Sequence, residues 1–319
     1  MKNIAIITGG DSKEYSISLK SAETVYKHLD RTKYNPFIIE IKNNNWRIKI
    51  KNRFQNFDQI NFCTEIENIL VQFKDVFMSI HGPPAENGEL QKHLDDKKIN
   101  YTCCNSNISE LTFDKFKCNQ IIKDLGYNIA KSYIHSKNNS ICTDEVINNL
   151  KLPIFVKPNQ AGSSNGISMV KEKNGLKTAI NEAFKHDDKV IIEEYIDGVE
   201  VSCGVLTINN KIITLPITEI ISENDFFDYD AKYNNKSKEI TPARITNKET
   251  NSIQKITKEI YEKLKLKGLC RIDYIIKIGK PYIIEINTIP GLSEQSIIPK
   301  QIKQAGYSLK EVFTICLEN

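Results

Sequence analysis

Gly268-Leu-Cys-Arg271-Ile-Asp273-Tyr-Ile-Ile-Lys277-Ile-Gly-Lys-Pro281-Tyr-Ile-Ile-Glu285-Ile-Asn287-Thr-Ile-Pro-Gly291-Leu-Ser-Glu-Gln295 reads as two β-rich runs flanking Ile278-Gly279-Lys280. A three-residue loop containing Gly is a common hairpin connection, and here it pairs Lys277 with Pro281. That register sets Asp273 opposite Glu285 and Arg271 opposite Asn287, and strand alternation gathers all four on one face. The other face receives Ile272, Tyr274, Ile276, Ile284 and Ile286. Two carboxylates and an amide oxygen on one patch form a hard oxygen set of the kind Mg²⁺ takes, together with phosphates. The adjacent Arg is placed for a developing negative charge. An amphipathic hairpin with a merely wet polar face satisfies the same pattern. The turn Asn287-Thr-Ile-Pro-Gly291 favours the first reading, because it brings backbone N–H groups over the patch.

A chain of 319 residues is long enough for two or three domains with real cores. With 40% hydrophobic and 26% charged residues, it has the composition of a soluble globular protein. The net charge of +4 is small and its signs are interspersed, which argues against a nucleic-acid or membrane surface. No apolar run approaches the ~20 residues of a membrane span, and the first residues lack the pattern of a signal peptide, so a cytoplasmic location is expected. The eight cysteines contain no C-x-x-C pair and several sit in apolar runs, which favours buried reduced thiols over disulfides or zinc.

At the N-terminus, Asn3 to Thr8 is a short buried strand, Gly9-Gly10 a turn and Ser16 to Leu29 a helix, the opening unit of a Rossmann-like layer. G-x-G-x-x-G is absent, so a dinucleotide site is not expected. Glu14, in the loop before that helix, is either solvated or functional. The strand Val76 to Ile80 runs into His81-Gly-Pro-Pro-Ala-Glu86-Asn-Gly88, and such carboxyl ends are where open α/β sheets place ligands. A plain Pro-Gly loop explains the same residues. Lys115 opens a helix from Asp114 to Leu125, with Gly126 as its C-cap. In Lys157-Pro-Asn-Gln-Ala-Gly162-Ser163-Ser164-Asn-Gly166 a strand delivers a lysine into a loop of small residues, where backbone N–H groups can close over phosphates. It is not a Walker loop, since the lysine precedes the glycines. Lys189 to Ile196 is a strand bearing Glu193 and Glu194, and Glu200 begins another. Lys211 to Ile221 is strand-like. The polar, aromatic stretch Ser222 to Asn235 is either a packed Ω-type element or a lid. Lys248 to Leu266 and Ser308 to Leu317 are helices.

In this order the motifs resemble the D-alanine:D-alanine ligase family of the ATP-grasp superfamily over nearly the whole chain. The segments that carry the likeness are Gly9 to Ser18, His81-Gly82 with Glu86 to Gly88, Lys157 to Gly166, Tyr229 to Tyr233, and Arg271-Ile-Asp273 with Glu285 to Gly291. The resemblance implies an α/β protein of ATP-grasp fold with three domains. These are a Rossmann-like substrate domain over 1–102, a central subdomain over 103–192 and a catalytic domain over 193–319, with a lid at 222–235. It implies ATP and two Mg²⁺, for which Mn²⁺ can substitute, and D-alanine as substrate in a homodimeric enzyme.

Matched by position, Asp273, Glu285 and Asn287 would hold the metal. Lys115, Lys157, Ser164 and Lys232 would meet the phosphates, with Lys232 beside the substrate. Glu193, Glu194, Tyr195 and Ile196 would contact adenine and Glu200 the ribose. Arg271 and the Gly291 N–H would form the oxyanion hole, while Glu14, Ser163 and Tyr233 would orient and deprotonate the amines. Ser296 and Ile297 would bind the second carboxylate and His81 would line the pocket. Ala85, Asn87 and Gln160-Ala161 depart from the family pattern, though no position assigned to metal, oxyanion or base does. The competing readings are another ATP-grasp carboxylate–amine ligase and a non-catalytic nucleotide-binding protein.

Overall fold

The computed structural model describes the chain apart from Asn52, Ser163, Ser164 and residues 223–236. The first layer contains β1 (Lys2–Gly9), α1 (Tyr15–His28), β2 (Tyr34–Lys42), β3 (Asn45–Ile50), β4 (Arg53–Asn56), β5 (Cys63–Ile66), β6 (Ile69–Gln72), β7 (Asp75–Met78), α2 (Glu89–Asp96) and β8 (Asn100–Tyr101). Its main sheet has the order β4-β3-β2-β1-β7-β8, with β1 parallel to both β2 and β7. The chain leaves β1 toward β2 and returns on the other side as β7. Such a reversal of strand order opens a crevice at the carboxyl ends, here between Gly9-Gly10 and Ser79 to Gly82.

Next come α3 (Ser106–Phe113), α4 (Lys115–Asp124), β9 (Ser132–Ser136), α5 (Thr143–Leu150), β10 (Ile154–Pro158), β11 (Ser168–Val170), α6 (Gly175–Ala183) and β12 (Lys189–Glu194). The antiparallel sheet β11-β10-β12-β9 carries its own core, in which Val146, Leu150, Leu176 and Ile180 meet Ile154, Val156, Val190 and Ile192. The last part holds β13 (Val199–Ile208), β14 (Lys211–Thr214), β15 (Thr218–Ser222), β16 (Ser237–Ile240), α7 (Asn247–Lys263), β17 (Cys270–Lys277), β18 (Lys280–Asn287), α8 (Ile297–Gln304) and α9 (Leu309–Glu318). Its sheet runs β16-β15-β13-β17-β18, with β14 added against β13.

The amphipathic helix α7 starts at a capping box made by Thr246 and Glu249. It lays Ile253, Ile260 and Tyr261 on Val201, Cys203, Ile272, Tyr274 and Ile286, and Cys118 and Ile122 of α4 join the same core. The two ends of the chain are packed together as well. Val312 and Phe313 of α9 lie with Val25 of α1 and with Ile4, Ile6 and Phe77 of the first sheet. Burying such residues contributes about 1.5–3 kcal/mol each, so the last part of the chain and the first layer are held as neighbours.

Several sequence expectations need correction. The hairpin loop has two residues, since Lys277 pairs with Lys280 and Ile276 with Pro281. Ile278 and Gly279 have φ of 50° and 69°, the left-handed pair of a tight hairpin turn, which a β-branched residue rarely adopts. A bulge between Asp273 and Tyr274 then restores the expected pairs Asp273 with Glu285 and Arg271 with Asn287. Because of the bulge, Ile283 rather than Ile284 enters the core. The run Lys211 to Ile221 is broken at Leu215 to Ile217, where Pro216 has no N–H to give a ladder. The expectation of buried free thiols holds for seven of the eight cysteines, while Cys142 is free but exposed.

Candidate active site

On the polar face of the hairpin, Arg271 grips Asp273 with two bonds, Nε to Oδ1 at 2.8 Å and Nη2 to Oδ2 at 2.7 Å. The guanidinium also lies 3.9 Å from Glu285, and the Asn287 amide donates to Asp273 at 3.0 Å and to Glu285 at 3.3 Å. From β13, the register partner Ser202 donates its hydroxyl to Asp273. Strand alternation puts Glu200 on the same face as Ser202. The cluster is largely buried, with the Asp273 side chain 8% and the Arg271 side chain 17% exposed. In a site this dry, a guanidinium and two carboxylates interact far more strongly than in water.

Arg271, Glu285, Asn287 and Gly291 line a cleft of about 660 Å³ together with Glu14, His81, Lys115, Ser296 and Ile297. The first layer delivers Glu14 from the end of β1 and His81 from the end of β7, so both reach the crevice opened by the reversal of strand order. Ser12 ties these two loops, accepting from the Glu14 N–H at 3.1 Å and donating to the His81 carbonyl at 2.7 Å. His81 itself is buried and both ring nitrogens are bonded within the protein. Nδ1 lies 3.0 Å from the Ile289 carbonyl, which can only accept, so Nδ1 carries the proton. Nε2 then accepts from the Ser21 hydroxyl at 3.0 Å, and that hydroxyl accepts from the Leu292 N–H at 3.1 Å. Burial lowers the His81 pKa, which keeps the ring neutral. His81 thus lines the cleft and clamps both ends of the Ile289 to Leu292 turn that carries Gly291. A Cβ on Gly291 would stand 2.9 Å from the Ser296 hydroxyl, so glycine lets the turn approach the start of α8.

Glu86 also lines the cleft, and its carboxyl is pushed up to about 8, first by withdrawal from solvent and then by the charge of Glu14. The two carboxyls converge over Gly162, where a Cβ would lie 2.8 Å from Glu14 Oε2 and 3.8 Å from Glu86 Oε2. Lys115 reaches the same loop by donating to the Ala161 carbonyl. Burial lowers its pKa, while the charge of Glu285 opposes the shift. Asn159 fixes that lysine's helix to the loop. Its Oδ1 accepts from the Phe116 N–H at 2.9 Å and its Nδ2 donates to Asp114 at 2.9 Å.

The expected nucleotide residues lie on the central sheet and on β13. Lys157 forms a buried ion pair with Glu193, which also accepts from Asn119 at 3.1 Å. Glu194 accepts from the Lys131 N–H at 2.9 Å, Tyr195 stacks obliquely on Phe155, and Ile196 is buried. These residues and Glu200 are not among those lining the cleft around Arg271. Ser163, Ser164, Lys232, Tyr233 and the expected lid at 222–235, except for Ser222, lie outside the described residues, so their assignment stands on sequence alone.

Two family models divide the chain: the D-ala D-ala ligase N-terminus matches residues 3–104, and the D-ala D-ala ligase C-terminus matches residues 122–318. The chain belongs to the D-alanine:D-alanine ligase family. Relatives named D-alanine–D-alanine ligase from Flavobacterium johnsoniae and Parabacteroides distasonis are 46% and 43% identical. Each alignment spans 100% of this chain, covering 99% and 97% of the relatives. Among solved structures, the VanG D-Ala:D-Ser ligase from Enterococcus faecalis is 31% identical with a TM-score of 0.87, covering 99% of this chain and 98% of that one. D-alanyl-alanine synthetase A from Vibrio cholerae is 25% identical with a TM-score of 0.89, covering 100% and 98%. The expected ATP-grasp architecture of α/β class is met by these likenesses, and the enzyme is a D-alanine:D-alanine ligase that uses ATP.

The hairpin's donor set fits a hard divalent ion. Among the described residues no group of three His, Cys, Asp or Glu side chains stands ready for a metal. Two carboxylates and one amide suit Mg²⁺, which fills the rest of its shell with water and phosphate oxygens. Sequence reasoning did not assign roles to Ser202 and Asn159, whose partners lie far away in the chain. It noticed Glu86 without assigning its chemistry, although Glu86 shares its motif with His81. Among the described residues no helix is long and apolar enough to cross a membrane.

Proposed function

We propose that the cleft joins two D-alanines through an acyl phosphate, with ATP held between the central sheet and the β13-β17-β18 face. The observation that carries this reading is the convergence of Arg271, Glu285 and Asn287 with the Gly291 turn and Glu14 around one cleft, with Asp273 bonded to Arg271 and Asn287. The first carboxylate attacks the γ-phosphorus of ATP and ADP leaves. The amine of the second D-alanine, once it has lost a proton, attacks the acyl carbon and phosphate leaves. Asp273, Glu285 and Asn287 would hold two Mg²⁺, which when bound neutralise the charge of the transferring phosphoryl group.

The chain's own residues supply the rest. Lys115 and Lys157 answer phosphate charge, while Glu193 to Ile196 and Glu200 frame the nucleoside. Arg271 and the Gly291 N–H stabilise the tetrahedral oxyanion. Glu14 holds the amino group of the first D-alanine, and Ser296 with the Ile297 N–H takes the second carboxylate. Lys20 also lines the cleft, as does Lys300 in an ion pair with Glu239 at 2.8 Å. A cytoplasmic location and a homodimeric assembly belong to the same reading.

Phosphate release from ATP, measured with D-alanine, D-serine, D-lactate and L-alanine in turn, tests the proposal. D-Alanine should be used well above the others, and a preference for D-serine or D-lactate as acceptor contradicts it.

A further inference from the structure

On its open side β13 is paired in two stretches, Glu200 to Ser202 with β15 and Val205 to Ile208 with β14. Between them, at Cys203-Gly204, the ladder is incomplete: the Leu215 N–H still donates to the Gly204 carbonyl at 2.8 Å, while the Gly204 N–H turns to a side chain instead. The carboxamide of Gln301, fully buried on α8, fills this gap. Its Oε1 accepts from the Gly204 N–H at 3.1 Å, and its Nε2 donates to the Ser202 carbonyl at 2.9 Å and to the Thr218 hydroxyl at 3.1 Å. It does for β13 what the peptide group of a neighbouring strand would do. The fit requires glycine at 204, where a Cβ would come within 2.6 Å of Gln301 Oε1.

Both ends of this link reach the cleft. Across the other edge of β13, Ser202 and Gly204 are the register partners of Asp273 and Arg271, and Ser202 donates to Asp273. At the other end of α8, Ser296 and Ile297 line the cleft. One buried side chain therefore sets the helix that opens onto the acceptor end against the strand that orients the Arg–Asp pair.

We propose that Gln301 is a positioning residue for the acceptor substrate, fixing the Ser296–Ile297 end of α8 relative to Arg271 and Asp273. The inference rests on the ligase reading above. Gln301→Leu removes the carboxamide at similar volume, and Gly204→Ala expels it from its seat. With ATP saturating and D-alanine varied above the range that fills the donor site, either change should raise the apparent KM for D-alanine as acceptor about tenfold, as expected for losing buried hydrogen bonds, while the KM for ATP stays put. Gln301→Glu, which keeps the acceptor for Gly204 but loses donors, should fall between wild type and Gln301→Leu.

A role confined to stability would lower the unfolding temperature without separating the two KM values. Should these variants fold poorly, Gln301→Ala, which removes the carboxamide without adding bulk, should carry the same acceptor defect. A wild-type acceptor KM in any folded variant, or a KM for ATP rising in step with it, overturns the proposal. Failure of the ligase reading would look different, because the unaltered enzyme would then show no D-alanine-dependent phosphate release.

Discussion

Arg271 and Asp273, two residues apart on one strand, face each other in a bidentate ion pair at 2.8 and 2.7 Å, with Glu285 3.9 Å from the same guanidinium. The arginine thus neutralises the carboxylates that would hold a cation, and removing it leaves them buried and unbalanced. Arg271→Met should destabilise the ligand-free enzyme by roughly 3 kcal/mol. Turnover should drop about 10³-fold through loss of oxyanion stabilisation. Adding Mg²⁺ alone should raise the unfolding temperature of this variant more than that of the wild type. Equal responses to Mg²⁺ would show that the ion does not bind these carboxylates.

Glu86 gives a dependence on pH whose sign is fixed. Its carboxyl is raised from 4.5 to about 8 in the folded protein, by desolvation and by Glu14, so the native state keeps a proton that the unfolded chain has lost. Stability from this group is full below about pH 4.5 and declines as pH rises toward about 8. Glu86→Gln removes the effect. Its unfolding temperature should therefore gain on that of the wild type steadily across this window. His81, with its pKa lowered, acts in the opposite sense by losing stability as pH falls, which is why the difference between variant and wild type is the quantity to follow. A constant difference across the window would contradict the convergence of Glu86 and Glu14 over Gly162.

The clamp on the Gly291 turn runs through His81 and Ser21. Ser21→Ala leaves both His81 Nε2 and the Leu292 N–H without their partner and should cost about 1–3 kcal/mol. His81→Ala should cost at least as much and lower kcat. Because both act on one turn, the double variant should fall short of the sum of the singles, and strict additivity in kcat would separate the two residues.

The hairpin shows how the sequence could be read and where reading failed. Alternating side chains set Asp273 against Glu285 correctly, but the expected loop was one residue too long and no bulge was foreseen, so two errors cancelled. Ile278 at positive φ carries no signal of a tight turn, since that conformation is ordinarily left to Gly, Asn or Asp. The long, strongly periodic helices α1, α4 and α7 were legible. The eight-residue helix α8 was not, because Ile297-Ile298-Pro299 resembles a strand and a turn. The family resemblance assigned catalytic roles to Glu14 and Arg271 and a phosphate-binding role to Lys115. Ser202, Asn159 and Gln301 gain their meaning only from partners that folding brings from distant parts of the chain.

The central claim is that the polar face of the hairpin is the phosphoryl-transfer site, and Glu285 tests it with the smallest change in shape. Glu285→Gln keeps the side chain's size and removes one of the two carboxylates. The measurement is ATP-dependent formation of D-alanyl-D-alanine at millimolar Mg²⁺, alongside thermal unfolding of the same sample. The account predicts a fall in turnover of about 10³-fold or more with little change in the unfolding temperature. Near-normal turnover in the folded variant would contradict it.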